Sequence, residues 1–231
     1  MVVFSGFDAA GRQRYNYIRQ LEGVAPHRMY VLDNLGERGC YYLGSDRDPY
    51  VADAVSEAIE HELARLGLGT EQLVTAGSSK GGSAAIYFGL RFGCRALAGA
   101  PQYYIGDYLT NASAAVAVCR LIAGGAEPED VAWLDGVLAR AIDESAAGAS
   151  VSVFSSARDE QFESHIQPMI ERLESRDVEN SLTVGTYVGH RAIGDEFGPW
   201  LREQARLISG ESALVHHAAR LSARLRLLRH G

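Results

Sequence analysis

The chain has little lysine, little cysteine and no long apolar run, and each scarcity narrows what it can be. Among 22 Lys and Arg residues in a chain of 231, Lys80 is the single lysine. The formal net charge of −7 argues against a nucleic-acid partner, because phosphate binding needs a basic face. Three cysteines, Cys40, Cys94 and Cys119, are too few for a disulfide scaffold and lack metal-ligand spacing. They read as reduced thiols of a cytoplasmic protein. No apolar run approaches the roughly 20 residues of a membrane-spanning helix, and "MVVFSGFDAAGRQ" has neither the basic start nor the apolar length of a signal peptide. What remains, 47% hydrophobic and 22% charged residues, is the composition of a globular domain large enough to bury a core.

Short apolar runs alternate with longer segments of helical period, the pattern of an α/β fold built on a mainly parallel sheet. Strands are expected at 2–6, 28–33, 72–77, 95–100, 150–156 and 181–189, and helices near 12–22, 49–66, 80–92, 159–175 and 196–208. The clearest amphipath is the second helix, where Val51, Val55, Ile59, Leu63 and Leu66 recur at three- and four-residue steps. One connection, 102–149, is long and holds two helical stretches, "VAVCRLIAGG" and "EDVAWLDGVLARAID". It forms either a helical cap over a site or a layer on one sheet face. The expected organisation is a core over 1–210, including the cap at 102–149, followed by a basic amphipathic helix at 211–231. There Leu214, Ala218, Leu221, Leu225 and Leu228 share one stripe beside Arg220, Arg224, Arg226 and Arg229. Such a helix either binds a second copy, another partner or an anionic surface, or packs on its own domain.

The chemistry is concentrated around Lys80. Gly77-Ser78-Ser79-Lys80-Gly81 fits G-x-S-x-G, in which a nucleophilic serine sits on a tight strand-to-helix turn flanked by small residues. "QLVTA" before it reads as a strand and "SAAIYFGLRFG" after it as a helix, whose N-terminus places free N–H groups and a positive dipole end beside Ser79. A phosphate-binding loop is excluded by spacing. A serine hydroxyl needs a base to take its proton and an acid to orient that base. The chain supplies both in the order serine, acid, histidine: Asp159 follows the fifth strand and His190 the sixth. Glu160 is the alternative acid. All three positions fall at the carboxyl edge of a parallel sheet, where such sheets place their sites.

An oxyanion hole needs two donors, and the candidates are the backbone N–H groups of Lys80 and of Phe7, in the loop "FSGFDAAG". A backbone donor does not explain a lysine. Its ammonium therefore either meets an acidic or phosphate-bearing substrate or pairs with a carboxylate of the protein. Tyr103, Tyr104 and Tyr108, in "PQYYIGDYL" after the fourth strand, either line the mouth of a substrate pocket or pack beneath the cap.

These residues resemble the α/β-hydrolase superfamily over about 2–208. "VVFSGF" is similar to its first strand and oxyanion loop, with Ser5 in place of the usual histidine, and "LDNLGERG" to its Asp-x-x-Gly-x-Gly loop with the second glycine one residue late. "AGSSKGG", "SARDEQF" and "GHRAIGDEFGPWL" resemble its nucleophile, acid and histidine segments. More narrowly, "GSSKGGSAAIYFGLRFG" and "AGAPQYYIGDYL" resemble a bacterial subgroup found among capsular-polysaccharide biosynthesis proteins. It includes the acetyltransferase of the accessory secretion system for serine-rich glycoproteins, and its Ser-Lys-Gly-Gly makes the single lysine a family mark. The resemblance implies a serine hydrolase or acyltransferase working through an acyl-enzyme on an ester or thioester, with O-acetyl transfer to, or removal from, a glycan as one form. The partner is then a small-molecule or glycan acyl substrate, and neither metal nor organic cofactor is required. A thioesterase or editing hydrolase of a biosynthetic pathway is the second expectation, and a non-catalytic scaffold that keeps the fold the third.

Overall fold

Alternation along the strands sets the architecture. The computed structural model describes residues 1–8, 12–111 and 115–227, the last seventeen of these, 211–227, by backbone alone. Among the described residues six strands form one sheet: β1 Val2–Phe4, β2 Met29–Val31, β3 Val74–Ser78, β4 Arg95–Gly99, β5 Ser150–Ser155 and β6 Glu179–Val184. The order across the sheet is β2-β1-β3-β4-β5-β6, and every neighbouring pair is parallel. Because successive side chains point to opposite faces, Val2 and Phe4 join one buried cluster and Val3 another. In β4, Ala96 and Ala98 go one way and Leu97 the other.

Helices cover both faces, as an all-parallel sheet requires. On one face lie α2 Tyr50–Leu66, α3 Lys80–Phe92, α6 Pro128–Asp143 and α7 Gln167–Glu174. On the other lie the single turn α1 Ile18–Leu21 and the long α8 Ile193–Leu227. The connection 102–149 contributes α4 Ile105–Asn111 and α5 Val116–Ala123 besides α6. Leu134, Val137, Leu138 and Ile142 of α6 share one cluster with Ile86 and Leu90 of α3 and with Val151 and Val153 of β5. This insertion is therefore a layer of the sheet's own cover, with α4 starting at the carboxyl edge.

Several boundaries differ from the periodicity. The helix expected near 12–22 shrinks to one turn, because Tyr17 takes a left-handed φ of 61° and Asn16 accepts the Gly6 N–H at 2.9 Å. The helix expected at 159–175 begins late: Asp159 to Gln161 make a turn, and one wide turn over Phe162–Ile166 precedes α7. The sixth strand stops at Val184, since Thr186 is bound through its N–H and its hydroxyl by Glu196. Asp195 lies in the first turn of α8, favourable to the helix dipole, and is not its cap. No break at 210 separates a terminal segment, because α8 runs on to Leu227. The leucine and arginine side chains expected there either to meet a partner or to pack on the domain lie outside the described residues.

The register sets Ser78 beside Gly99, Gly99 beside Phe154 and Ser155 beside Val184, so the loops leaving β3, β4, β5 and β6 meet at one edge. Phe197 anchors the α8 layer; it is wholly buried and its ring lies 5.2 Å from that of Tyr17 and 5.5 Å from that of Trp200. Phe197→Ala is expected to cost about 3–5 kcal/mol in urea denaturation; a loss under about 1 kcal/mol would show that the α8 layer is not part of the cooperative core.

Candidate active site

The backbone is sharply turned where β3 passes into α3. Ser79 has φ 54° and ψ −126°, a conformation that costs on the order of 1–3 kcal/mol for a side-chain-bearing residue. Three hydrogen bonds hold it there: Ser79 N–H to the Gly99 carbonyl at 2.8 Å, and the N–H groups of Gly82 and Ser83 to the Ser79 carbonyl at 2.8 and 3.0 Å. The flanking glycines are sterically required. A Cβ on Gly77 would run into the Gly81 carbonyl, and one on Gly81 into that of Phe4.

The turn raises the Ser79 side chain into a chain of polar contacts. Ser79 Oγ lies 2.9 Å from His190 Nε2, and His190 Nδ1 lies 3.1 Å from Asp159 Oδ2. Ser79 and His190 are half-buried and Asp159 is buried. Asp159 also accepts the Tyr187 hydroxyl at 2.8 Å and the Gln161 N–H at 3.0 Å. Burial by itself raises that carboxyl, but hydrogen bonds from His190, Gln161 and Tyr187 outweigh it and hold Asp159 below the usual carboxylate range. Glu160 takes a different place: it is exposed and accepts the backbone N–H of His190 at 3.0 Å, fixing the loop and leaving the ring to Asp159.

The Lys80 side chain is turned into the interior. Its ammonium donates to Asp33 at 2.9 Å and to the Arg38 carbonyl at 3.3 Å, and both side chains of the ion pair are 1% exposed. Asp33 further accepts the Cys40 N–H at 2.9 Å and the Tyr42 N–H at 3.3 Å. Gly39 has φ 87°, and a Cβ there would collide with Asp33 and the ammonium. Of the two roles open to this side chain, pairing with a protein carboxylate is the one the structure adopts. The Phe7 ring lies under the same ammonium at 5.2 Å. Lys80 opens α3, so its own N–H has no intrahelical acceptor.

The three tyrosines divide. Tyr103 is buried in the main apolar cluster, so it packs in the core and not at a pocket mouth. Tyr104 is 37% exposed and Tyr108 half-buried. Between them sits His165, buried, with both rings 6.2 Å from its own and its Nδ1 accepting the Tyr104 N–H at 3.2 Å. Burial lowers His165 below the usual imidazole value. A cavity of about 390 Å³ lined by Met1, His27, Ile59, Leu63 and Arg65 opens at the amino end of β1 and β2. It is remote from Ser79, and the aligned polar groups mark the chemistry better than the hollow does.

Several contacting residues escaped the sequence reading. Gln102 donates from Nε2 to Ser79 Oγ at 3.0 Å, and Tyr17 shares a 2.5 Å hydrogen bond with Ser78. Tyr187 holds Asp159 and Asp33 holds Lys80. Gln102 lies three residues past the end of β4, in the loop leaving the strand beside β3.

No protein-family model matches the chain, and no curated protein matches it by sequence. Solved structures do. The capsule O-acetyltransferase of Neisseria meningitidis serogroup A is similar at TM-score 0.70 and 17% identity, over 89% of this chain and 86% of that one. The glycosylation-associated Gap123 complex of Streptococcus agalactiae is similar at 0.75 and 19%, over 90% of this chain and 41% of that one. The fluorophosphonate-binding serine hydrolase FphF of Staphylococcus aureus is similar at 0.60 and 16%, over 90% and 81%. The fold is the α/β-hydrolase fold. At these identities the likeness speaks to the fold alone, and in this α/β-hydrolase fold the first strand and the loops holding Asp33, Asp159 and His190 come together around the Ser79 turn.

Lys80→Met leaves a buried carboxylate without its counter-charge and is expected to cost about 3–5 kcal/mol, much of it restored in Lys80→Met/Asp33→Asn. If the single variant kept its stability and changed only substrate affinity, the structural role would be wrong. Asp159 adds a pH signature. Its folded pKa lies below the unfolded value of about 3.9, so the stability it contributes is present above that pH and is lost as pH falls through the folded value. The gap in urea midpoint between wild type and Asp159→Asn should close on going from pH 7 to about pH 3.

Proposed function

We propose that the chain is a serine hydrolase or acyltransferase that passes an acyl group through Ser79. The observation that carries this reading is the unbroken relay from Ser79 to His190 to Asp159 at 2.9 and 3.1 Å on a strained, solvent-reachable turn. Ser79 Oγ attacks the carbonyl carbon of an ester or thioester while its proton moves to His190 Nε2. The carbonyl electron pair moves to oxygen, where the N–H groups of Lys80 and Phe7 stabilise the negative charge. The tetrahedral species collapses, the leaving group takes the proton from His190, and an acyl-enzyme remains. Water or a hydroxyl acceptor then repeats the sequence in reverse, its proton going to His190. Asp159, held ionised, keeps Nδ1 protonated and the ring aimed.

The substrate class we favour is an O-acetyl donor with a glycan hydroxyl as acceptor. Tyr104 and Tyr108 at the edge of the site offer the mix of ring and hydroxyl that sugars pack against. Similarity to a capsule O-acetyltransferase and to a serine hydrolase supports the reaction class. Three free, buried thiols suit a reducing compartment, and we place the protein in the cytoplasm. Among the described residues no helix is long and apolar enough to cross a membrane.

The test is labelling by a fluorophosphonate probe, followed by turnover of p-nitrophenyl acetate and of an acetyl thioester with and without an oligosaccharide acceptor. Wild type should label, and Ser79→Ala should not. His190→Ala should lose turnover by on the order of 10⁴-fold or more, and Asp159→Asn by about 10³–10⁴-fold. Folded wild type that neither labels nor turns over a small acyl ester would leave a non-catalytic scaffold as the reading. Turnover of the thioester that no sugar acceptor alters would favour a thioesterase.

A further inference from the structure

Gln102 does more than fill the wall of the site. Its side chain is fully buried, and each of its polar atoms is engaged. The backbone N–H donates to Ser83 Oγ at 2.9 Å, and Ser83 Oγ lies 2.9 Å from the Gln102 carbonyl, which fastens the residue to α3. The side-chain oxygen accepts the Tyr41 hydroxyl at 3.3 Å. Of the two amide hydrogens, one goes to Gln161 Oε1 at 2.9 Å and the other to Ser79 Oγ at 3.0 Å, with His190 Nε2 farther off at 3.4 Å. Gln161 in turn is the residue whose N–H binds Asp159. An immobilised, desolvated donor thus bears on the one oxygen whose bonds are made and broken.

We propose that Gln102 is a catalytic residue: its amide N–H orients and stabilises Ser79 Oγ as nucleophile and again as leaving group. This rests on the acyl-enzyme reading above. In the resting site the donor occupies one lone pair of Oγ, so the hydroxyl proton is directed at His190 Nε2 and a second lone pair faces outward. On attack, the Oγ–carbon bond forms, the Oγ proton passes to His190, and Gln102 offsets the charge that builds on oxygen as that proton leaves. On deacylation the carbon–Oγ bond breaks, its electron pair returns to Oγ, and His190 returns the proton. Gln102 gains and loses no proton in either direction. Because the donor is already fixed by Tyr41, Gln161 and Ser83, no reorganisation accompanies the reaction.

Two substitutions test this, read against wild type in the intact chain. Gln102→Met keeps the volume and removes the donor. Its second-order rate of fluorophosphonate labelling and its kcat for p-nitrophenyl acetate should fall by on the order of 10²-fold, with KM changed by less than about threefold. Labelling and kcat within about threefold of wild type in folded Gln102→Met would overturn the proposal. Gln102→Glu keeps the shape and donates only when protonated. On the alkaline side the wild-type rate should hold level, whereas the Glu variant should fall there, where its carboxylate faces Ser79 Oγ without a hydrogen to give. A Glu profile that levels off as wild type does would also overturn it, and this decides the matter should the Met variant fail to fold. Wild type that neither labels nor turns over sinks the proposed function and this inference together. Active wild type beside equally active variants sinks this inference alone.

Discussion

The site depends on one backbone conformation, that of Ser79. A residue with a side chain resists φ 54° and ψ −126°, and the turn persists because its surroundings leave no alternative. Gly77 and Gly81 let the two arms of the turn and the end of β1 approach within a distance that any Cβ would block. The Gly99 carbonyl of the neighbouring strand takes the Ser79 N–H. The strain is therefore balanced by strand pairing and helix initiation on either side, which ties the position of the reactive oxygen to the sheet itself.

A second constraint holds the opposite wall. The Lys80–Asp33 pair is a full charge pair in the interior, and it survives because its hydrogen bonds are completed by the Arg38 carbonyl and the Cys40 and Tyr42 N–H groups. Through it the first residue of α3 is fastened to the loop after β2. Tyr42 carries the connection further, its hydroxyl receiving the Ser5 N–H at 2.6 Å at the end of β1. The loop that holds Phe7 is thus braced from below by buried polar contacts. A compact ammonium fits between the Phe7 and Tyr42 rings, at 5.2 and 5.5 Å. A planar guanidinium needs more room and more acceptors, which accounts for one lysine in a chain that otherwise uses arginine.

The polar groups around Ser79 are embedded in the same manner. Asp159 has three donors, His190 is braced at its ring and at its backbone, and Gln102 is fixed at both ends. Each side chain near Ser79 is held in turn by a further hydrogen-bonded neighbour. Such support is what lets preorganised dipoles act without moving during the reaction.

Fold class, nucleophile turn and the order of serine, acid and histidine were legible in the residues because each is a local signal: strand alternation, glycine spacing, and a polar residue just after a strand. The boundaries that slipped were those where one tertiary contact overrode propensity, as with Asn16 bonded to Gly6, or Thr186 bonded to Glu196. The hydrogen bond from the His190 ring to Asp159, the partner of the Lys80 ammonium, the burial of Tyr103 and the reach of Gln102 to Ser79 had no local signal. Those hydrogen bonds span 23 to 47 residues, and they exist because parallel strands joined by crossovers bring distant loops to one edge. By itself the sequence determined the six strands, most of the helices and the glycine-flanked turn at Ser79. The tertiary structure alone decided which polar groups meet it, since hydrogen bonds and buried charges depend on distances of a few tenths of an ångström that no spacing along a chain encodes.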